Sequence, residues 1–151
     1  MNHSLLYQGS RTQLVGQLLY FDEEKLGFLN QYFPERSKQR ITAEALLSRY
    51  CAILEQLLAD FSEERLNSMV LIGSQLTLRY VDDGETDVYT IVFPNLAEPS
   101  DSKVSILSPV GMQLLLAEVG STQRLKVPSG ELDVVIESIK FVNSGEVGQL
   151  I

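Results

Sequence analysis

The chain has 151 residues, 44% of them hydrophobic, with 12 basic and 20 acidic side chains and a formal net charge of −8. That length supports one good core, or one domain with an appendage, and the composition is that of a globular chain rather than a disordered one. The single Cys51 and single His3 exclude an intramolecular disulfide, a zinc site, a Cys–His dyad and a Ser-His-Asp triad.

The negative balance opposes sequence-independent binding to phosphate backbones, so no direct nucleic-acid contact is expected. No P-loop or dinucleotide fingerprint is present, and neither a cofactor, a metal nor a catalytic residue is expected. No apolar run approaches the roughly 18 residues of a membrane span, and the first residues do not read as a secretory signal. One cysteine fits a reducing cytoplasm. The charge is uneven: residues 1–81 carry 8 basic and 9 acidic side chains, residues 82–151 carry 4 and 11. An acidic second half suits either ordinary solubility or steering toward a basic protein surface.

In chain order, "QGSRTQLVGQLLYF" (8–21) is compatible with a short strand or with a further helical turn. Asp22 is placed to cap a helix running through Tyr32, with Leu26, Leu29 and Phe33 on one side. Pro34 stops it, and "PERSKQRI" (34–41) is a polar, locally basic connection holding Glu35, Arg36, Lys38 and Arg40. A second helix is predicted from Thr42 to about Phe61. Leu46, Tyr50, Ile53, Leu57 and Phe61 form one stripe, widened by Leu47, Cys51, Leu54 and Leu58. So wide an apolar face needs a partner, and the nearest is the first helix, which makes a helical hairpin. At about 1.5 Å per residue the second helix spans about 30 Å and the first about half that.

From residue 70 the period changes to two. In "SQLTLRYV" (74–81) apolar and polar residues alternate as in a half-buried strand. Asp83-Gly84 is a hairpin signal, and "DVYTIVFP" (87–94) is the returning strand. A loop "NLAEPSD" and a short strand "KVSIL" (103–107) lead into "ILSPVGMQLLLAEVG" (106–120). There Ser108 suits an N-cap, Pro109 the first helical position and Gly120 a left-handed C-terminal turn. A strand "TQRLKV", a turn "PSG" and a long strand "ELDVVIESIKFV" follow, and "NSGEVGQLI" reads as a loose tail. The order predicts an α+β fold: a short N-terminal helical hairpin, then an antiparallel sheet with one helix packed across it. The predicted divisions are 1–69, 70–142 and a tail over 143–151.

Several stretches of this second half occur in a recognisable order: "IGS" opening the first strand, "YTIV" in the second, "SILSPVGMQLL" at the centre, "PSGE" in the last hairpin and "IESIKF" at the end. From Val70 to Phe141 the chain resembles the C-terminal domain of the bacterial Gre transcript-cleavage factors and of Rnk, their short relative that binds RNA polymerase. The resemblance implies an FKBP-like domain that docks on the rim of the polymerase secondary channel. It also implies that the loop entering the SPxG helix lies in the docking region, here Ser105, Ser108, Pro109, Val110, Gly111 and Met112.

The N-terminal half departs from the Gre pattern. Those factors carry a long coiled coil with an Asp-x-x-Glu pair at its tip, where two carboxylates can share a catalytic Mg²⁺. Asp60 and Glu63 have that spacing, but only six residues, Arg65 to Val70, separate the pair from the sheet domain. The pair is therefore expected at the base of the hairpin, as a helix end followed by a Ser62 cap. The expected tip, residues 34–41, has Glu35 as its one carboxylate beside Arg36, Lys38 and Arg40. The reading that follows is a Rnk-like, non-enzymatic regulator that binds bacterial RNA polymerase at the secondary-channel rim without cleaving transcripts. A Gre-type cleavage factor, and a self-associating scaffold that pairs through the hairpin as a homodimer, are the alternatives.

Overall fold

The computed structural model describes residues 3–142 and 144–147. The chain divides into two compact units, one built on residues up to Phe61 and the other on Ser62–Gly145. Among the described residues no helix is long and apolar enough to cross a membrane.

The first unit is a pair of helices, α1 (His3–Tyr32) and α2 (Lys38–Ala59), joined by residues 33–37. The helix start expected at Asp22 is not there: α1 runs unbroken through residues 8–21 and on past Asp22. The reason lies in the spacing of its buried side chains. Ser10, Leu14, Gln17, Phe21 and Phe28 are all buried, at intervals that keep one helical face turned inward, and no proline interrupts them. Asp22, Glu23 and Glu24 are exposed within the helix. With 30 residues, α1 is about 45 Å long at roughly 1.5 Å per residue, longer than α2 rather than half its length.

The second helix also starts earlier than Thr42. Ser37 is its N-cap, with the side-chain oxygen accepting from the Arg40 N–H at 3.1 Å, and the last helical residue is Ala59, capped by Asp60. Its buried residues are Ala43, Leu47, Tyr50, Leu54 and Leu57, an alternating four-three spacing that gives a narrow seam between two helices. Leu46, Cys51, Ile53 and Leu58 are half-buried beside it. An aromatic cluster fills the middle: Phe21 lies edge-on to Phe28 at 5.6 Å and to Tyr50 at 6.4 Å between ring centroids. Within the seam the Tyr50 hydroxyl donates to Gln17 Oε1 at 2.5 Å. A polar pair in a largely apolar seam favours one register over its slipped neighbours.

The second unit begins with a single-turn helix, α3 (Glu63–Leu66), capped by Ser62, whose side chain accepts from the Arg65 N–H. Five strands follow: β1 (Ser74–Tyr80), β2 (Thr86–Val92), β3 (Lys103–Ser105), β4 (Thr122–Val127) and β5 (Gly130–Phe141), with a six-residue helix, α4 (Pro109–Leu114), between β3 and β4. They form one sheet in the order β3-β2-β1-β5-β4. The predicted antiparallel pairing holds for β1–β2, β1–β5 and β4–β5, while β3 joins parallel to β2. A parallel neighbour requires a crossover, supplied here by residues 93–102 with two short 3₁₀ turns.

Apolar side chains of the central strands, Leu76, Leu78, Ile91, Val134, Ile136, Ile139 and Phe141, are buried together with Ile106, Leu114 and Leu115. Along β5 the inward residues fall on even numbers up to Ile136 and on odd numbers from Ile139. A bulge makes this compatible with one strand. Thr77 pairs with Ser138 and Leu78 with Ile136, so Glu137 is the extra residue, and both Glu137 and Ser138 are exposed. At the start of β1, Gly73 has φ +108°, and a Cβ there would lie 2.8 Å from the Phe141 ring; "IGS" is a packing requirement at this point.

The helix of the SPVG stretch is shorter than predicted. It ends at Leu114, and Leu116 takes a left-handed φ of 72°. The residues beyond do not continue the helix because their backbone pairs elsewhere: Leu116 N–H donates to Val70 O at 2.8 Å and Val70 N–H to Ala117 O at 2.9 Å. Gly120 is left-handed, as predicted, but in a later turn. Of the predicted tail, residues 143 and 148–151 lie outside the described residues, and 144–147 have no regular structure.

Candidate functional site

The six residues singled out around the SPVG stretch form one connected corner of the second unit. Ser105 ends β3, Ser108 is the N-cap of α4, and Pro109, Val110, Gly111 and Met112 make its first turn. The two serines are spent on the backbone. Ser105 Oγ accepts from Leu107 N–H at 3.0 Å, and Ser108 Oγ donates to Ser105 O at 2.8 Å while accepting from Gly111 N–H at 3.0 Å. One hydroxyl thus serves as both donor and acceptor and ties the strand end to the helix start.

Gly111 is buried, and its identity is forced: a Cβ there would lie 1.9 Å from Ser105 O. Backbone cannot withdraw from such a contact without opening the corner. What remains at the surface is largely apolar, with Pro109 exposed and Val110 and Met112 half-buried. The corner therefore divides its labour. Ser105, Ser108 and Gly111 hold the shape, and Pro109, Val110 and Met112 form its partly exposed apolar face. One residue outside the predicted set joins it. Gln113 is half-buried, and its side-chain amide reaches from α4 to Lys126 on β4. Nothing in the local sequence signals this, because Lys126 comes 13 positions later.

The second predicted group lies at the hairpin connection of the first unit. Glu35 and Arg36 are exposed within residues 33–37, and Lys38 and Arg40 occupy the first turn of α2. Arg40 is held inward, its Nη1 donating to Phe33 O at 2.6 Å. This contact satisfies a carbonyl at the end of α1 and closes the turn. Glu35 is the one carboxylate in the connection. Asp60 is the C-cap of α2, at the end of that helix away from the connection, and Glu63 opens α3 in the second unit. The expected roles of a helix end and a Ser62-capped turn hold for this pair. Among the described residues no group of three or more His, Cys, Asp or Glu is arranged to hold a metal ion. Burial, only partly offset by the charge of Lys25, pushes the Cys51 thiol above its ordinary range.

Comparison with known proteins matches residues 65–141 to the family described as "Transcription elongation factor, GreA/GreB, C-term". The chain is 38% identical over 79 residues to the transcription elongation factor GreA of Desulfovibrio desulfuricans, covering 52% of this chain and 49% of that protein. It is 39% identical over 85 residues to GreA of Dehalococcoides mccartyi, covering 55% and 54%. The chain thus spans about half the length of these relatives. Among solved structures, the GreA/GreB elongation factor from Nitrosomonas europaea aligns at TM-score 0.47 and 26% identity over 67% of this chain and 93% of that one. The Gfh1 protein of Thermus thermophilus aligns at TM-score 0.45 and 22% identity over 86% and 94%. The matched segment contains the whole Ser105–Met112 corner and every strand of the sheet, and the chain belongs to the GreA/GreB transcription elongation factor family through this C-terminal domain.

Proposed function

We propose that this protein is a non-enzymatic regulator that binds bacterial RNA polymerase at the rim of its secondary channel, using the Ser108–Met112 corner as its docking edge. The observation that carries the reading is the rigid presentation of Pro109, Val110 and Met112. Three hydroxyl hydrogen bonds and a glycine with no room for a side chain hold this apolar edge in place. A preformed apolar edge loses little entropy on association, which favours a protein partner. The test is capture of core polymerase by the full-length chain. Wild type is expected to bind and Pro109→Asn to bind about tenfold more weakly, since one apolar contact of this size is worth about 1.4 kcal/mol. No binding by wild type, or equal binding by the variant, would refute it.

Cleavage is not part of the proposal. The hairpin connection carries Glu35 beside Arg36 and Lys38, and Asp60 caps the far end of α2, so the paired carboxylates that would share Mg²⁺ are not at a tip. Mg²⁺-dependent shortening of RNA in backtracked complexes would overturn this. The feature that favours a Rnk-like over a Gre-like member is the acid-poor connection, whose one carboxylate is Glu35. A second reading, self-association through the hairpin, is favoured by Leu19 and Leu26. They are 55% and 66% exposed at heptad spacing on α1. Light scattering that shows a dimer with no polymerase capture would select it.

A further inference from the structure

We propose that Gln113 is the positioning residue of the docking corner: its side-chain amide acts as a one-residue surrogate strand on the free edge of β4 and thereby sets how α4 presents Pro109, Val110 and Met112. This rests on the reading of that corner as the docking edge.

Because β4 ends the sheet order, it has a neighbour on one side only. In an antiparallel pair, alternate residues turn both backbone groups toward or away from the partner. Lys126 turns its pair to the free side, and Gln113 takes both: Lys126 N–H donates to Gln113 Oε1 at 2.7 Å, and Gln113 Nε2 donates to Lys126 O at 2.9 Å. The geometry reproduces the two-bond exchange of a ladder pair, with a side-chain amide in place of a peptide. The same Nε2 also donates to Pro109 O at 2.9 Å, so a single group links the strand edge to the residue that leads the exposed turn.

The tie matters because α4 has only six residues. A helix that short has no stability of its own, so its orientation is set by what holds it. The serine web fixes its first turn to β3, and burial of Leu114 anchors its last. Both of those attachments lie away from β4, and the side of α4 that faces β4 needs a tie of its own. Among the described residues Gln113 supplies the side-chain hydrogen bonds from α4 to β4. An Asn in its place is one methylene too short to reach, and a Glu offers the acceptor but turns an oxygen toward two carbonyls.

Two full-length variants test this, Gln113→Met and Gln113→Glu, with amide hydrogen exchange and amide chemical shifts read by NMR. Arg124, two residues earlier on the same edge, serves as the internal reference, so the Lys126-to-Arg124 ratio cancels any change in global stability. In wild type, Lys126 is expected to exchange about tenfold more slowly than Arg124, the protection that one or two ordinary hydrogen bonds confer. In Gln113→Met the ratio is expected to approach one, with shifts moving at residues 108–112 and polymerase affinity falling about tenfold. Gln113→Glu is expected to disturb the corner more than Met does, which a purely apolar packing role would not produce. An unprotected Lys126 in wild type would overturn the proposal. So would a lost brace that leaves the 108–112 shifts unmoved. Dimers of Gln113→Met with an unmoved corner would make the residue an edge guard and overturn it as well. If the free-state readouts come out as expected but wild type does not bind polymerase, the docking reading falls and the brace stands.

Discussion

The hairpin and the sheet unit are held in register by opposite means. In the hairpin, α1 and α2 meet along a seam whose four-three spacing repeats, and a repeating pattern is compatible with slipped alignments. The Tyr50–Gln17 pair, in the middle of the seam, favours one of them. In the sheet unit nothing repeats. The corner is defined by contacts that occur once, such as Gly111 beneath Ser105 O and the doubly used Ser108 hydroxyl. The difference teaches where sequence change is tolerated. A seam accepts any apolar residue of fitting size, whereas the corner accepts almost none. The family match begins at residue 65, beyond the hairpin.

The comparison breaks most readily at Leu54, fully buried in the seam. Leu54→Ala is expected to destabilise the hairpin by about 2–5 kcal/mol, read by amide exchange along α2. If the loss is under about 1 kcal/mol, the seam is not packed as described. Gly111→Ala is the matching test in the corner. With backbone oxygen at 1.9 Å from the new Cβ, an expected loss of about 3 kcal/mol should appear in urea unfolding followed at sheet residues. An unchanged midpoint would mean that the Ser105–Gly111 approach is not tight. Ser108→Ala removes the cap and should cost about 1–2 kcal/mol, with accelerated exchange of the Gly111 amide as its local signature. Tyr50→Phe should cost about 1 kcal/mol by losing the hydroxyl donor to Gln17. Its sharper outcome is a second set of hairpin NMR signals from a slipped register.

The smallest effect is chemical. Because burial raises the Cys51 thiol above its ordinary range, the reactive thiolate is scarcer at neutral pH. Alkylation near pH 7 should be slower than for a free cysteine and should accelerate as pH rises past the ordinary value of about 8.5. A rate equal to that of a model thiol at pH 7 would contradict the half-buried placement.

Strands and turns of the sheet unit were legible because each carries its own signal. Alternation marks β1, the Asp83-Gly84 hairpin signal marks β2 as its return, Pro128-Ser129-Gly130 marks a turn, and Ser108-Pro109 marks a helix start. The extent of α1 was not legible in the same way. Residues 8–21 contain Gly9, Gly16 and the β-branched Val15, which weaken helix propensity, and only the partner seam on α2 makes helix the better choice. Helix α4 ends early because of a pairing with Val70, far away in sequence. The parallel β3 is equally invisible, since three residues of strand carry no sign of their direction. The six corner residues could be named only through the family resemblance, and Gln113 not at all, because a glutamine on a short helix looks like any solvated side chain until the strand edge is brought beside it.

The extra residue in β5 sets a reading frame for the sheet. Upstream of Glu137 the strand counts its inward positions in even numbers, and downstream in odd ones. Single substitutions at Glu137 or Ser138 leave that count intact. Deletion of either one closes the bulge: a single outward residue then separates Ile136 from Ile139, so Ile139 and Phe141 still face inward and Lys140 outward, and what is lost is the local kink and twist. The two exposed positions thus encode a bend and not a facing, and a strand shortened by one residue there is expected to keep its core contacts while straightening against β1.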